Sequence, residues 1–146
     1  CRFSKYTLNG LHEWDKDMSG SRIVHWNNGL WDIPTALFDD GEPFTSEEEY
    51  VVNMLRVAKE LKKLGKRVIF ATTTPVHHEF HFNDNSLIQR YNALVVPKLR
   101  ELGIEINDLH SLVMQDLYKY IGADQIHLSE EGIAVCAEQV VKAIKG

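Results

Sequence analysis

Apolar residues recur at helical spacing most clearly over 46–64, where Val51, Met54, Leu55, Ala58, Leu61 and Leu64 share one face. Thr45 with Glu48, and Ser46 with Glu49, each make the Ser/Thr-x-x-Glu pattern of a capping box, and Gly65 supplies a stop. The same period predicts a helix over about 86–102 through Leu87, Ile88, Tyr91, Leu94, Val95 and Leu99, closed by Gly103. A further helix is expected over about 129–145 through Ile133, Cys136, Ala137, Val140 and Ile144. Leu8, Leu11 and Trp14 mark a weaker one over 4–15, interrupted by Gly10, and a short helix is expected at about 112–120.

Between these helices lie three short β-branched or aromatic runs: Arg22–Trp26, Arg67–Thr72 and a run beginning Ile104-Glu105-Ile106. Polar loops follow the first two, Asn27–Asp32 and Thr73–Asn85, while 33–44, with two prolines and Asp39-Asp40-Gly41, reads as an irregular excursion. The order α, β, α, β, α, β, α, α implies a parallel sheet covered on both faces. Ligands then belong beyond the carboxyl ends of the strands, where both polar loops fall. Three strands are few for such a sheet. A strand–helix–strand unit, on the order of 30 residues or more, is therefore expected ahead of Cys1, with 1–146 a single, N-terminally incomplete domain. The sheet side left open would pair with that segment or with a second chain.

Composition narrows the classes rather than the chemistry. At 146 residues, 44% apolar and 25% charged, the chain has the make-up of one soluble globular domain. A net charge of −5 with no basic cluster beyond Lys62-Lys63 speaks against nucleic acid or an anionic membrane surface as partner. No apolar run approaches 18 residues. Cys1 and Cys136 define no disulfide framework, and Cys136, among Ile133, Val135 and Val140, reads as a buried thiol.

Candidate chemistry concentrates in Asp124-Gln125-Ile126-His127-Leu128-Ser129-Glu130-Glu131-Gly132. An Asp and a His three residues apart in a tight turn can set a carboxylate against one imidazole nitrogen and leave the other to take a proton. Ser129 is a natural N-cap for the helix that follows, and Glu130 and Glu131 suit its positive end. His77-His78-Glu79-Phe80-His81 lacks the spacing of His-Glu-x-x-His, and with Pro75 before it and Asn83-Asp84-Asn85 after it reads as a polar rim loop with His77 near substrate, not a metal site. Asp108 and His110 belong to a strand-end turn. Core packing is the default for Trp26 and Trp31, although one of them at the mouth of a site would stack on a sugar ring or an acyl group.

Two segments together resemble the SGNH (GDSL-type) hydrolase family. Asp124-x-x-His127-Leu-Ser-x-x-Gly132 resembles its fifth conserved block, and Ile23-Val24-His25-Trp26-Asn27-Asn28-Gly29-Leu30 its third, whose usual Gly-x-Asn-Asp here reads His25-Trp26-Asn27-Asn28. The resemblance implies a three-layer α/β/α, flavodoxin-like SGNH hydrolase fold with a mostly parallel sheet. It implies a serine esterase acting on a small ester or acylated carbohydrate without a cofactor. His127 would be the base, Asp124 its orienting acid and Asn27 the oxyanion donor, with Asn28 the close second choice. A second main-chain donor, from the family's second block, would come from Cys1-Arg2. No Gly-Asp-Ser and no Gly-x-Ser-x-Gly occurs in the chain. The nucleophile is thus expected from sequence outside these residues, and the competing reading is a non-catalytic, degenerate SGNH-like binding module or an inactive fragment.

Overall fold

Ser46 opens one of the two longest helices by accepting a hydrogen bond from Glu49 N at 3.3 Å; three glutamates fill the first turn and Lys62 and Lys63 the last, matching the helix dipole at both ends. Of the two overlapping capping-box frames only the Ser46 N-cap bond is present, the Glu49 carboxylate pairing with Lys5 instead. Thr45 is buried instead, and its carbonyl takes the Tyr91 hydroxyl at 2.6 Å. The computed structural model describes residues 2–64 and 66–146. The Cys1 main-chain donor and the Gly65 helix stop lie outside those residues.

In chain order the elements are α1 (Ser4–Met18), β1 (Ile23–Trp26), α2 (Glu47–Lys63), β2 (Arg67–Ala71), α3 (Asn85–Glu101), β3 (Glu105–Asn107), α4 (Leu109–Val113), α5 (Leu117–Tyr120) and α6 (Glu130–Lys145). Two of these differ from the pattern-based expectation. α1 runs three residues past Asp15, and the single helix expected at 112–120 is two short ones. The reason for the break is local capping: Asp108 accepts from Ser111 N to start α4, and Asp116 accepts from Lys119 N to start α5.

The strands form one parallel sheet in the order β1-β2-β3, with Trp26 beside Phe70 and Phe70 beside Ile106. Because side chains alternate across a strand, Val24, Trp26, Val68, Phe70 and Ile106 share one face. They pack with Tyr50, Met54, Val57 and Leu61 of α2, with Ile88, Tyr91, Val95 and Leu99 of α3, and with Leu8 and Leu11 of α1. His25 and Asn107 project to the other face, where α6 lies. Asn107 Nδ2 donates to His25 Nε2 at 3.1 Å, and Gln139 of α6 donates to Asn107 Oδ1 at 2.8 Å. Burial lowers the His25 pKa, so the ring is kept neutral and able to accept. The result is the expected α/β/α arrangement, with helices on both faces.

Ile133, Val141 and Ile144 of α6 remain exposed, and β1 is an edge strand along which a groove of about 580 Å³ runs between Leu11, Trp14 and Met18 of α1 and the strand itself. Cys136 is buried and free, and its thiol pKa is raised by burial. Among the described residues no helix is long and apolar enough to cross a membrane.

Candidate active site

The turn between α5 and α6 is closed by main chain before any side chain acts. Ile121 and Leu128 form an antiparallel bridge, Gly122 N donates to His127 O at 2.7 Å, and Ser129 N donates to Tyr120 O at 2.9 Å. Gln125 takes a left-handed conformation (φ 69°) to complete the reversal. Inside it, Asp124 Oδ1 accepts from Ile126 N at 3.2 Å and His127 N at 2.9 Å, which leaves Oδ2 to meet His127 Nδ1 at 2.6 Å. The predicted acid–imidazole pair is therefore formed. The main-chain N–H of His127, its ring and the N–H of Ile126 together lower the Asp124 pKa to about 2. An ionised carboxylate at Nδ1 holds the proton there, so Nε2 carries the lone pair. The His127 side chain is 82% exposed, and Nε2 has no hydrogen-bond partner among the described residues.

α6 braces this turn from behind. Ser129 Oγ accepts from Gly132 N at 3.0 Å and donates to Lys119 O at 2.6 Å, which clamps the start of α6 onto α5. A Cβ at position 132 would stand 2.2 Å from the Tyr120 carbonyl oxygen, so only glycine permits that approach. Gly132→Ala is accordingly expected to cost about 1–3 kcal/mol through forced separation of α5 from α6. Thermal unfolding would register this as a lowered Tm, and an unchanged Tm would contradict the close approach.

Asn27 leaves the carboxyl end of β1 exposed to solvent, and its Nδ2 donates to Ala71 O at the end of β2 at 2.9 Å. That bond uses one of two N–H groups and leaves the other for a ligand. Asn28 is buried and committed: Oδ1 accepts from Trp26 Nε1 at 2.8 Å, and Nδ2 donates to Arg2 O at 2.9 Å. Its carbonyl takes the Tyr50 and Thr73 hydroxyls at 3.0 and 2.7 Å. Trp26 is core, its ring 4.8 Å from that of Phe70, whereas Trp31 is 60% exposed. The loop after β2 joins the two regions. Asn83 Nδ2 donates to Leu30 O at 3.0 Å, and His77 N donates to Gln125 O at 2.9 Å. His77 also lies edge-on to Tyr118, with ring centroids 4.8 Å apart. Asn27, His77, Asp124 and His127 thus all sit at the carboxyl rim of the sheet, along one connected set of loops.

Two long-range contacts of this rim carried no sequence signal. Asp32 is buried and ties the Asn27 loop to the start of α1, accepting from Ser4 N (3.0 and 2.9 Å) and Ser4 Oγ (2.7 Å). Burial raises its pKa against the lowering effect of those bonds. Gly29, at φ 143°, lets Thr73 pack where a Cβ would sit 2.1 Å from Oγ1. Asp108 and His110 do form a strand-end turn. Asp108 accepts from Thr72 Oγ1 and from Ser111, with a lowered pKa, and His110 Nε2 is buried without a partner among the described residues. No group of three or more His, Cys, Asp or Glu among the described residues is placed to hold a metal ion.

No family model matches the chain. Over 118 residues it is 27% identical to the GDSL esterase/lipase WDL1 of rice (Oryza sativa subsp. japonica), covering 70% of this chain and 45% of the relative. It is 30% identical to the GDSL esterase/lipase CPRD49 of Arabidopsis thaliana, again over 118 residues, covering 70% and 46%. The chain thus spans less than half the length of these curated relatives. A GDSL-like lipase from Bacteroides thetaiotaomicron superposes over 99% of this chain and 71% of its own with a TM-score of 0.80 at 18% identity. The acetylxylan esterase Axe2 of Geobacillus stearothermophilus does so over 92% and 66% with a TM-score of 0.70 at 16% identity. At those identities the superpositions establish a shared fold.

Proposed function

We propose, taking as premise that this chain belongs to the SGNH (GDSL-type) hydrolase family, that residues 1–146 are the part of a serine ester hydrolase that carries the base and the oxyanion donor, within a single domain completed by sequence outside them. The observation that carries the reading is the 2.6 Å Asp124–His127 bond with Nε2 facing solvent. In the proposed cycle His127 Nε2 takes the proton of a serine hydroxyl supplied from outside Cys1–Gly146, and the serine oxygen adds to the ester carbonyl. Asn27 Nδ2 donates to the resulting oxyanion. Collapse expels the alcohol, which leaves with the proton from His127, and the acyl-enzyme is then hydrolysed by water with His127 again as base. Asn27 is favoured over Asn28 for the oxyanion because Asn27 is exposed to solvent, whereas Asn28 is buried under Trp26 and Arg2. The exposed stripe on α6 and the open edge of β1 support pairing with that outside segment or with a second chain.

The substrate class we infer is a small ester or an acylated carbohydrate, by similarity to relatives named as esterases, one of them an acetylxylan esterase. The competing reading, a degenerate domain that binds a glycan without turnover, draws on the absence of Gly-Asp-Ser from these 146 residues. A fluorophosphonate probe decides between them. The full-length esterase is expected to be labelled at a serine and to hydrolyse p-nitrophenyl acetate, and Asn27→Ala is expected to lower kcat about 100- to 1,000-fold. Absence of both labelling and turnover in the full-length protein would leave the binding module as the better description.

A further inference from the structure

Two asparagines of α3 each grip the main chain of one residue in the loop after β2. Asn92 Oδ1 accepts from Thr73 N, and its Nδ2 donates to Thr73 O, both at 2.9 Å. Asn85 grips Val76 in the same way, accepting from its N–H at 2.9 Å and donating to its carbonyl at 2.8 Å. The two spacings agree. Seven residues of α-helix rise about 10.5 Å, and three residues of extended chain span about 10 Å. Pro75 biases Thr74 towards extended backbone, and, being buried, it brings no N–H that would need a partner. Thr73 to Val76 is thus laid out against α3 at a length that the helix sets.

The two grips lead to different parts of the candidate active site. Beyond Asn92, Thr73 Oγ1 donates to Asn28 O at 2.7 Å and so holds the loop that carries Asn27. Beyond Asn85, Val76 is followed by His77, whose N–H donates to Gln125 O at 2.9 Å. Gln125 stands between Asp124 and the N–H groups of Ile126 and His127 that Asp124 accepts, in a left-handed conformation that costs a side-chain-bearing residue energy. The bond from His77 restrains that conformation from outside the turn. We propose that Asn85 and Asn92 are positioning residues for ester hydrolysis, with α3 the spacer that fixes Asn27 relative to His127, which rests on the ester-hydrolase reading above. A carboxamide suits both positions because it offers one acceptor and one donor side by side, as an N–H and a C=O of one residue require.

Asn85→Asp in the full-length protein is the sharper test. It keeps the shape and the acceptor for Val76 N, and its charge suits the first turn of α3, so the fold is expected to tolerate it. It sets a second acceptor against Val76 O in place of the donor. The kcat for p-nitrophenyl acetate is expected to fall about 10- to 100-fold with KM within about twofold, as when reacting groups are displaced but substrate contacts are kept. The nitrogen chemical shifts of the His127 ring read the cause without turnover. They are expected to report a proton fixed on Nδ1 in the unmodified protein and a mixture of tautomers in Asn85→Asp. Asn92→Ala is expected to lower kcat as well but to leave those shifts in place, because its end of the loop holds Asn27. A full-length protein that hydrolyses no ester, yet whose His127 shifts respond to Asn85→Asp, would sink the hydrolase reading and keep the positioning. An unchanged kcat in either variant of an active protein, or a lowered kcat in Asn85→Asp with the His127 shifts unmoved, overturns the proposal.

Discussion

Replacing His127 by alanine in the full-length protein is expected to lower kcat/KM for an activated ester by about 10⁴-fold or more, with KM little changed. The loss should be chemical rather than structural. Asp124 Oδ1 is bonded to the main-chain N–H groups of Ile126 and His127, and alanine keeps both. The Ile121–Leu128 bridge and the Ser129 cap do not involve the imidazole either. Unfolding free energy is therefore expected to stay within about 0.5 kcal/mol, as for an exposed side chain. A steady-state assay alongside a denaturation curve separates the two effects. Equal hydrolysis by the two proteins would remove His127 from the mechanism.

Asp124→Asn should cost nearly as much, about 10⁴-fold in kcat, although it removes only one charge. An amide at this position can donate to Nδ1, which moves the ring proton to Nε2, where a base needs its lone pair. The carboxylate itself should be resistant to acid. Its folded pKa of about 2 lies below the ordinary aspartate value of 3.8, so the stabilisation it gives the turn is complete above about pH 4 and is lost as pH falls through about 2. Carbon-detected NMR titration of Asp124 reads that midpoint directly. In His127→Ala the midpoint is expected to rise towards 3.8 yet remain below it, because the His127 main-chain N–H is the largest contributor and persists. A titration near the ordinary aspartate value in the unmodified protein would mean that the turn does not hold the carboxylate as described.

Why Asp124 and His127 were legible and Asp32 was not is a matter of contact range. Most groups that position the pair lie within eight residues, Tyr120 and Gly122 at one end, Ile126 inside, Ser129 and Gly132 at the other, with His77 N on Gln125 O the long-range exception. Asp32 works across 28 residues to Ser4, and Asn28 across 45 to Thr73, distances over which no local pattern exists. The same holds for Trp26 and Trp31. They are five residues apart in one aromatic stretch, but the strand points the first into the core against Phe70, and the turn at Gly29 sends the second outward. Capping choices failed locally for a different reason. Thr45 and Ser46 offer overlapping frames of near-equal worth, and burial of Thr45 under Tyr91 selects between them.

By itself, the order of residues determined the elements and their parallel arrangement, because periodicity, caps and β-branched runs act through neighbours three or four positions away. It also determined the acid–imidazole turn, which folds on its own short loop. Tertiary structure alone decided which asparagine is exposed and which is buried, and which tryptophan faces water. It also joined the Asn27 loop to the start of α1 through the buried Asp32 carboxylate. Those outcomes depend on hydrogen bonds and packing between segments far apart in the chain, whose closure is settled only when the sheet and its helices have assembled.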